Sequence, residues 1–200
     1  MITLKRTYIM NKSLILLPMC LMAFAANSAD WSINNTLSKV SFISTKKVNI
    51  AEVHSFNAVS GTLSSKGEFE LTIPLNTVST GIEIRNQRMQ TMLFEVNKFP
   101  QLVLKAKVNP QLIDSLSQGE TLITQVNANI NLHGIQADKE INVVVTKLSD
   151  SQMQVTSFQP IIVNANDFGL AKGIEKLQQV AGLSSISLAV PVSFVLSLSK

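Results

Sequence analysis

Polar and apolar residues alternate along most of the chain after residue 30. An alternation of period two is typical of β-strands with one buried face. Breaks rich in Gly, Asn, Ser and Pro separate the alternating runs and are typical of turns. The pattern predicts about eight strands, in the segments LSKVSFIS, HSFNAVSGTLSS, EFELTIPL, QLVLKAKV, TQVNANINLHG, INVVVTKL, MQVTSFQPIIV and SISLAVPVSFVLSL.

Two segments break this alternation and predict short helices. The first places Arg85 and Arg88 ahead of apolar residues at three- and four-residue spacing, namely Met89, Met92, Leu93 and Val96. Such spacing places side chains on one face of a helix. The second runs over 167–183, where Gly182 suits a helix end after an apolar stripe of Ile174, Leu177 and Ala181.

Many short strands with few helices predict an all-β domain, either a sandwich or a closed barrel. Short connections favour antiparallel pairing, and closure of a sheet removes its exposed edges. A closed barrel of eight strands can enclose one small ligand. An outer-membrane barrel requires an apolar band between aromatic girdles. The chain after residue 29 has one Trp and no Tyr, and it ends in the charged residue Lys200, so this class of barrel is disfavoured.

Residues 1–29 differ in pattern from the rest of the chain. An apolar run from Leu14 to Phe24 precedes small residues from Ala25 to Ala29 and follows three basic residues, Lys5, Arg6 and Lys12. This order is typical of a secretory signal peptide. We predict cleavage after Ala29 or at Ser28, which leaves a single exported domain over 30–200.

Two other interpretations of residues 1–29 fit the pattern less well. A retained membrane anchor needs about 20 apolar residues to span a bilayer, and the apolar run is shorter. A lipoprotein signal places small residues before its cysteine, whereas Pro18 and Met19 precede Cys20 inside the apolar run.

Removal of the signal peptide changes the charge of the protein. Residues 1–29 hold three of the 17 basic residues and none of the 13 acidic ones, which leaves 14 basic and 13 acidic residues, a net charge of +1. A near-neutral domain gives no support for nucleic-acid binding through bulk charge. Cys20 is the only cysteine, so the exported domain depends on its hydrophobic core rather than on disulfides.

The residues of the domain do not form a recognisable catalytic or metal set. His54 and His133 are the only histidines, and a zinc site needs three or four ligands. Ser55 is next to His54, but adjacent residues of a strand point to opposite faces, so these two do not form a catalytic dyad. The sequence has no nucleophile elbow and no phosphate-binding glycine loop. We therefore predict neither an enzyme nor a metal protein.

Arg85 and Arg88 are the only arginines after residue 29. A guanidinium suits bidentate binding of a phosphate or carboxylate, and its head can reach water above a buried stem. The alternative is a structural ion pair with Glu83 or Glu95 that joins the helix to the sheet. His133, in the segment NLHGIQ, has two comparable interpretations, a hydrogen-bonded turn residue or a polar contact at a cavity mouth.

Several segments resemble the YceI-like family of periplasmic lipid- and polyisoprenoid-binding proteins. They are Trp31 at the start of the domain, SFNAVSGTL with its F-x-x-x-x-G spacing, VSTGIEIRNQRMQTMLFEVNKFPQLVL, INLHGI, and AGLSSISLAVPVSFVLSL. The chain departs from the family pattern at three positions. Asn34 and Asn86 replace aspartates, and Leu37 replaces a histidine.

The resemblance implies an extended, lipocalin-like barrel of eight antiparallel strands with one or two short helices. It also implies an apolar channel for the tail of a polyprenyl phosphate, an isoprenoid quinone or a fatty-acid derivative, and no other cofactor. The leading hypothesis is an exported carrier of such a lipid. A cyclase or isomerase that uses the cavity, and a stress-response protein with a filled barrel, are the alternatives. A transient membrane contact and a homodimer are further predictions about partners.

The predicted ligand-binding residues fall into three groups. Apolar residues predicted to line the channel are Phe42, Phe56, Phe69, Leu104, Ile130, Phe158 and Phe194. Polar residues predicted at the mouth are Arg85, Arg88, His54 and His133. Phe168, in the second helical segment, is predicted to form part of a lid.

Overall fold

The structure, a computed structural model, describes residues 30–200, so the predicted signal peptide over 1–29 lies outside the described residues. The strands are β1 Trp31–Ile33, β2 Lys39–Lys46, β3 Ile50–Phe56, β4 Ser60–Leu63, β5 Glu68–Pro74, β6 Val78–Ser79, β7 Gln101–Lys107, β8 Thr121–Leu132, β9 Ile135–Ser149, β10 Gln152–Ser157, β11 Ile161–Asn164 and β12 Ala189–Ser199. The α-helices are α1 Glu83–Arg88, α2 Pro110–Asp114 and α3 Ala171–Val180. Short 3-10 turns occupy Asn35–Leu37, Leu75–Thr77 and Ala165–Phe168, and a π-helical turn occupies Met89–Leu93.

The strands form a closed antiparallel barrel with eight positions. Four positions hold interrupted strands, β1 with β2, β3 with β4, β5 with β6, and β10 with β11, while β7, β8, β9 and β12 are continuous. The barrel closes because β12 pairs with β10 and β11 on one side and with β1 and β2 on the other. The predicted eight-stranded antiparallel barrel is confirmed.

Period-two alternation decides which side chains enter the barrel. On β5, Leu71 and Ile73 are buried, and they pair with Leu104 and Leu102 of β7. Slipping this register by one residue would move the apolar set to the solvent face. Polar Glu70 and Lys105, at the intervening positions, form an exposed ion pair on the outer surface.

Buried residues form two clusters, one toward each end of the barrel. The cluster nearer α2 includes Trp31, Leu63, Leu71, Leu116, Val145, Met153 and Leu198. The cluster nearer α1 and α3 includes Phe42, Leu75, Met89, Leu93, Phe94, Ile130, Phe168 and Ile174. We call these two regions the α2 end and the α1 end of the barrel.

Both predicted helical segments form short helices at the α1 end. The first changes from α to π geometry, with the Phe94 amide donating to the Met89 carbonyl at 2.9 Å. The wider turn buries Leu93 and Phe94 together. Glycine at 173 lets α3 approach this turn, because a Cβ there would lie 2.8 Å from the Met92 carbonyl oxygen.

The helices of residues 30–200 are too short to cross a bilayer, and no apolar span of sufficient length occurs among them. The longest, α3, has ten residues. A helix of that length rises about 15 Å, roughly half the thickness of a hydrocarbon core.

Candidate functional site

The barrel contains an apolar cavity of about 960 Å³. Its wall draws on both buried clusters and reaches from Asn109 and Leu112 at the α2 end to Ile82 and Val180 at the α1 end. The volume lies at the upper limit of ordinary small-molecule sites, which run from about 300 to 1,000 Å³. The interior is therefore hollow rather than filled by side chains.

Nine of the twelve predicted ligand-binding residues line this cavity. They are Phe42, His54, Phe56, Phe69, Arg85, Arg88, Leu104, Ile130 and Phe194. Six are apolar residues of the barrel strands, and the three polar ones lie together at the α1 end. Their contact with a ligand stays a prediction.

The structure places the other three predicted residues away from the cavity wall. Phe158 is 55% exposed on the outer surface between β10 and β11. Phe168, predicted as part of a lid, is fully buried in the core of the α1 end. His133 lies in the turn between β8 and β9, where its Nε2 atom is 3.1 Å from Glu95 Oε2.

Arg85 joins α1 to the barrel wall. Its Nη1 atom donates to Glu52 Oε2 at 2.5 Å, and its Nη2 atom donates to the Thr80 carbonyl at 2.6 Å. Lys46 forms a second ion pair with the same Glu52 oxygen. The sequence-based alternative was an ion pair with Glu83 or Glu95, whereas the structure shows the pair with Glu52 on β3.

Sequence reasoning missed Lys46 and Glu52 as members of this site. Glu52 shares the inward face of β3 with His54 and Phe56, because strand residues two apart point the same way. The signal was thus present in NIAEVHSF. Pairing of Lys46 with Ile50 across the β2–β3 hairpin brings the lysine to the same wall.

The charges of this cluster shift two pKa values. The hydrogen bond from Lys46 lowers the pKa of the Glu52 carboxyl, with further lowering by the positive charge of Arg85. Burial lowers the pKa of His54, and the positive charges of Arg85 and Lys46 act in the same direction. Burial and the two cations together favour the neutral form of the His54 imidazole over its charged form.

The His54 ring is buried in the cavity wall and has one polar atom without a partner. The residue is only 4% exposed, and its Nε2 atom lies 3.7 Å from Glu52 Oε2. Within residues 30–200, its Nδ1 atom has no hydrogen-bond partner. Phe42 packs edge-on against the ring at a centroid distance of 5.4 Å. The imidazole thus lines the α1 end with an apolar neighbour on one side and the Glu52 carboxylate on the other.

Arg88 differs from Arg85 in having no ion-pair or hydrogen-bond partner among residues 30–200, although it also lines the cavity. The charged residues that line the α1 end are Lys46, Lys47, Glu52, Arg85 and Arg88. Four cations and one carboxylate give this end a net charge of +3. An anionic head group would therefore be favoured there over a cationic one.

A contact between Thr80 and Asn86 fixes the start of α1 within the segment VSTGIEIRNQRMQ. Asn86 Oδ1 accepts hydrogen bonds from the Thr80 amide at 2.9 Å and the Thr80 hydroxyl at 2.7 Å. The acceptor is the side-chain carbonyl oxygen of Asn86, an atom type that Asp also carries. Asn34 likewise accepts from the amides of Thr36 and Leu37 at the start of a 3-10 turn.

The His133–Gly134 turn is fixed by the loop that follows the π turn. Both residues have positive φ, 56° and 77°, as a two-residue hairpin turn requires. Phe99 packs on the His133 ring at 4.3 Å and occupies the space of a Gly134 Cβ. Lys98, followed by His133, lowers the pKa of Glu95. These contacts favour the structural role of His133.

Metal ligation has no support in the described part of the chain, since residues 30–200 contain no group of three or more His, Cys, Asp or Glu that could hold an ion. The polar atoms of the α1 end are one imidazole, one carboxylate and several cations. Cations so close together repel a metal ion, and they favour binding of an anion.

Comparison with known proteins gives a consistent result. The YceI-like domain model matches residues 31–198. A polyisoprenoid binding domain from Saccharophagus degradans is 36% identical, with a TM-score of 0.84, and the alignment covers 85% of this chain and 98% of that one. The comparison with curated proteins found no match.

Two more distant structures share the fold alone. BcnA from Burkholderia cenocepacia is 16% identical with a TM-score of 0.64, and the alignment covers 82% of this chain and 98% of that one. The YCEI protein of Campylobacter jejuni is 10% identical with a TM-score of 0.54, with 74% of this chain and 84% of that one covered.

Proposed function

From the premise that this chain belongs to the YceI-like family, we propose that it is an exported binding protein for a long-chain isoprenoid lipid. The observation that carries the proposal is the hollow, apolar barrel of about 960 Å³ with cations at one end. The similarity to a polyisoprenoid binding domain at 36% identity supports the same ligand class. The isoprenoid tail would lie in the cavity, and its head would lie at the α1 end.

The tail supplies most of the binding free energy in this proposal. Each CH₂ group that leaves water contributes about 0.8 kcal/mol, so an isoprene unit of five carbons contributes about 4 kcal/mol before ordering costs. The free energy of noncovalent binding reaches its practical limit at about 20 kcal/mol. A few buried isoprene units therefore suffice, and tail length beyond them adds little selectivity.

The head group would be selected at the α1 end. Arg88 offers a cation whose donors are not used within residues 30–200, and the imidazole of His54 lines the same end of the cavity. The guanidinium suits a polyprenyl phosphate, whereas the imidazole also suits a quinone carbonyl. Arg85 is already held by Glu52 and Thr80, so it serves mainly to position the mouth.

Native mass spectrometry of protein purified from its source without detergent tests the proposal. We expect a bound species that solvent extraction identifies as an isoprenoid lipid. A matched pair of variants adds a control, because Ala106 faces the cavity and Lys105 faces solvent. Ala106→Trp should reduce lipid occupancy by obstructing the channel, while Lys105→Trp should retain it. Absence of lipid, together with no binding of added polyprenyl phosphate or quinone, would contradict the proposal.

Export is a separate part of the proposal and rests on the signal-like pattern of residues 1–29. Cell fractionation followed by N-terminal sequencing provides the test. We expect a periplasmic protein that begins near Asp30. A cytoplasmic protein that retains residues 1–29 would contradict export, but it would leave lipid binding intact.

One observation keeps a cyclase or isomerase as the second candidate. His54 is a buried titratable group on the cavity wall, close to the Glu52 carboxylate. At 3.7 Å between Nε2 and Oε2, the two groups would need to move closer, or share a bridging water, to transfer a proton. Incubation with a polyprenyl phosphate or quinone distinguishes the candidates, because a carrier returns the ligand with unchanged mass and retention time and an enzyme does not.

A further inference from the structure

The α1 end of the cavity is surrounded by apolar side chains that face water. Ile50, Ile82, Ile84 and Val180 line the cavity, yet they are 47%, 50%, 54% and 45% exposed. They come from three elements, the β2–β3 hairpin, the start of α1 and the end of α3. Together with Val48 at the hairpin tip, we call these five residues the rim.

Direct contacts join the three elements of the rim into one surface. The Lys47 amide donates to the Ser185 carbonyl at 3.1 Å, which ties the hairpin to the segment after α3. The Arg85–Glu52 ion pair ties α1 to β3 on the other side. The exposed apolar residues therefore belong to one continuous mouth and are not scattered surface positions.

Val48 is the most unusual residue of the rim. It is 88% exposed and has a φ of 72°. A β-branched side chain in the left-handed region is a strained outlier, and Asn or Gly is the usual residue there. An exposed and strained valine adds no packing to compensate, so a role outside the isolated fold accounts for it best.

Charge distinguishes this mouth from the opposite end of the cavity. The lining of the α1 end has a net charge of +3, while the whole of residues 30–200 has +1. Glu83, at the exposed start of α1, is a neighbouring acidic group outside the lining. At the α2 end, the lining includes one charged residue, Lys107, and one exposed large apolar residue, Leu112.

We infer that the rim docks on an anionic phospholipid bilayer. Val48 and the exposed isoleucines would enter the interface, while Lys47 and Arg88, which are not paired with Glu52, would contact lipid phosphates. Apolar side chains beside a ring of cations are the combination that binds membrane surfaces. In this orientation the cavity opens directly toward the bilayer, so a lipid tail could enter without crossing water.

The purpose of docking rests on the proposed lipid binding, but docking itself is measured separately. Purified protein is mixed with vesicles of phosphatidylethanolamine and phosphatidylglycerol, or of phosphatidylcholine alone, and bound protein is separated by flotation. We expect binding to the anionic vesicles and at least about fivefold weaker binding to phosphatidylcholine, because each cation near an anionic surface contributes about fivefold.

Val48→Asn provides the decisive variant. Asn suits the left-handed backbone, so the variant should unfold at a higher urea concentration than the parent protein. It should nevertheless bind anionic vesicles about tenfold more weakly, because an apolar group has been lost from the membrane interface. A structural role for Val48 would not produce opposite changes in stability and vesicle binding.

Ile123→Asn is the matched control, because Ile123 is 58% exposed on β8 toward the α2 end. It should leave vesicle binding unchanged. Parent and variants are compared as proteins with the same first residue, so any difference in vesicle binding comes from the substitution. Equal vesicle binding by Val48→Asn and the parent would overturn the inference. A different result would assign the rim to a second copy of the chain. In that case the parent protein binds no vesicles but forms a dimer, and Val48→Asn dissociates the dimer. Unchanged lipid binding by Val48→Asn would show that such a failure concerns docking alone.

Discussion

Arg85 and Arg88 are three residues apart and have the same side chain, but they differ in their hydrogen-bond partners. Arg85 uses two guanidinium nitrogens to hold Glu52 and the Thr80 carbonyl. Arg88 lines the cavity without such partners among residues 30–200. One is a structural clamp, and the other is available for a ligand.

Single alanine variants should separate these roles. Arg85→Ala leaves the Thr80 carbonyl unpaired and should lower the free energy of unfolding by about 1–2 kcal/mol. Arg88→Ala should leave that free energy within about 0.5 kcal/mol of the parent. It should nevertheless weaken the binding of a polyprenyl phosphate more than the binding of a neutral quinone. Urea unfolding and ligand titration measure the two effects, and equal loss of both ligands would contradict the role of Arg88.

His54 should make the fold sensitive to mild acid. Its pKa in the folded protein is lower than the ordinary histidine value of 6.5, so the unfolded chain binds a proton more readily. The resulting stability is fully present above about pH 6.5 and is lost as the pH falls below that value. The pKa of Glu52 is also lowered, from its ordinary value of 4.5. Its contribution to the free energy of unfolding is therefore present above about pH 4.5 and is lost as the pH falls below that value.

Urea unfolding at pH 7.5, 6.5 and 5.5 measures the histidine effect. We expect the free energy of unfolding to fall across this range in the parent protein. His54→Gln keeps a polar side chain but does not titrate, so its profile should be flatter. Parallel profiles for parent and variant would show that another group causes the acid sensitivity.

Among the elements, β4 depends on a close approach that only glycine permits. A Cβ on Gly61 would lie 2.2 Å from the Glu70 carbonyl oxygen of β5 and 2.8 Å from Ile33 Cδ1. The first contact is with backbone, so a side-chain rotation cannot relieve it. This close approach gives the F-x-x-x-x-G element a physical basis.

Gly61→Ala should therefore lower the free energy of unfolding by about 1–3 kcal/mol. Ser60→Ala is the adjacent control, because Ser60 is exposed on the same strand, and its effect should stay within about 0.5 kcal/mol. Chemical denaturation of both variants checks the prediction. Equal stabilities would mean that β4 and β5 can separate without cost.

The strands could be predicted because their alternation follows from burial of one face. The interruptions could not, since the 3-10 turn at Leu75–Thr77 between β5 and β6 depends on contacts with distant segments. At the site, period two placed His54 and Phe56 together, but the partner of Arg85 depends on the distance between α1 and β3. Sequence spacing alone favoured Glu83 or Glu95 because they are close in sequence. The positions of Phe158 and Phe168 depend likewise on turns that periodicity does not describe.

At the scale of the whole molecule, the hollow interior links stability to occupancy. A ligand at one hundred times its dissociation constant stabilises the folded state by about 2.7 kcal/mol. For a domain of this size, each kcal/mol shifts the melting temperature by about 2–4 °C. Lipid-free protein should thus melt about 5–10 °C lower than protein reloaded with a polyprenyl phosphate. Calorimetry measures the shift, and coincident melting curves would contradict occupancy of the cavity.

The double pairing of β12 has a consequence for how the protein is made. Ser199 pairs with Ser32 and also with Gln152, so the barrel closes through contacts between opposite ends of the sequence. Such nonlocal contacts form slowly and leave unpaired strand edges exposed until they form. A chain emerging from a ribosome therefore remains an open sheet until β12 is available for pairing. During that interval the open edges are sites where another chain could pair, and a lipid tail could reach the interior from the side.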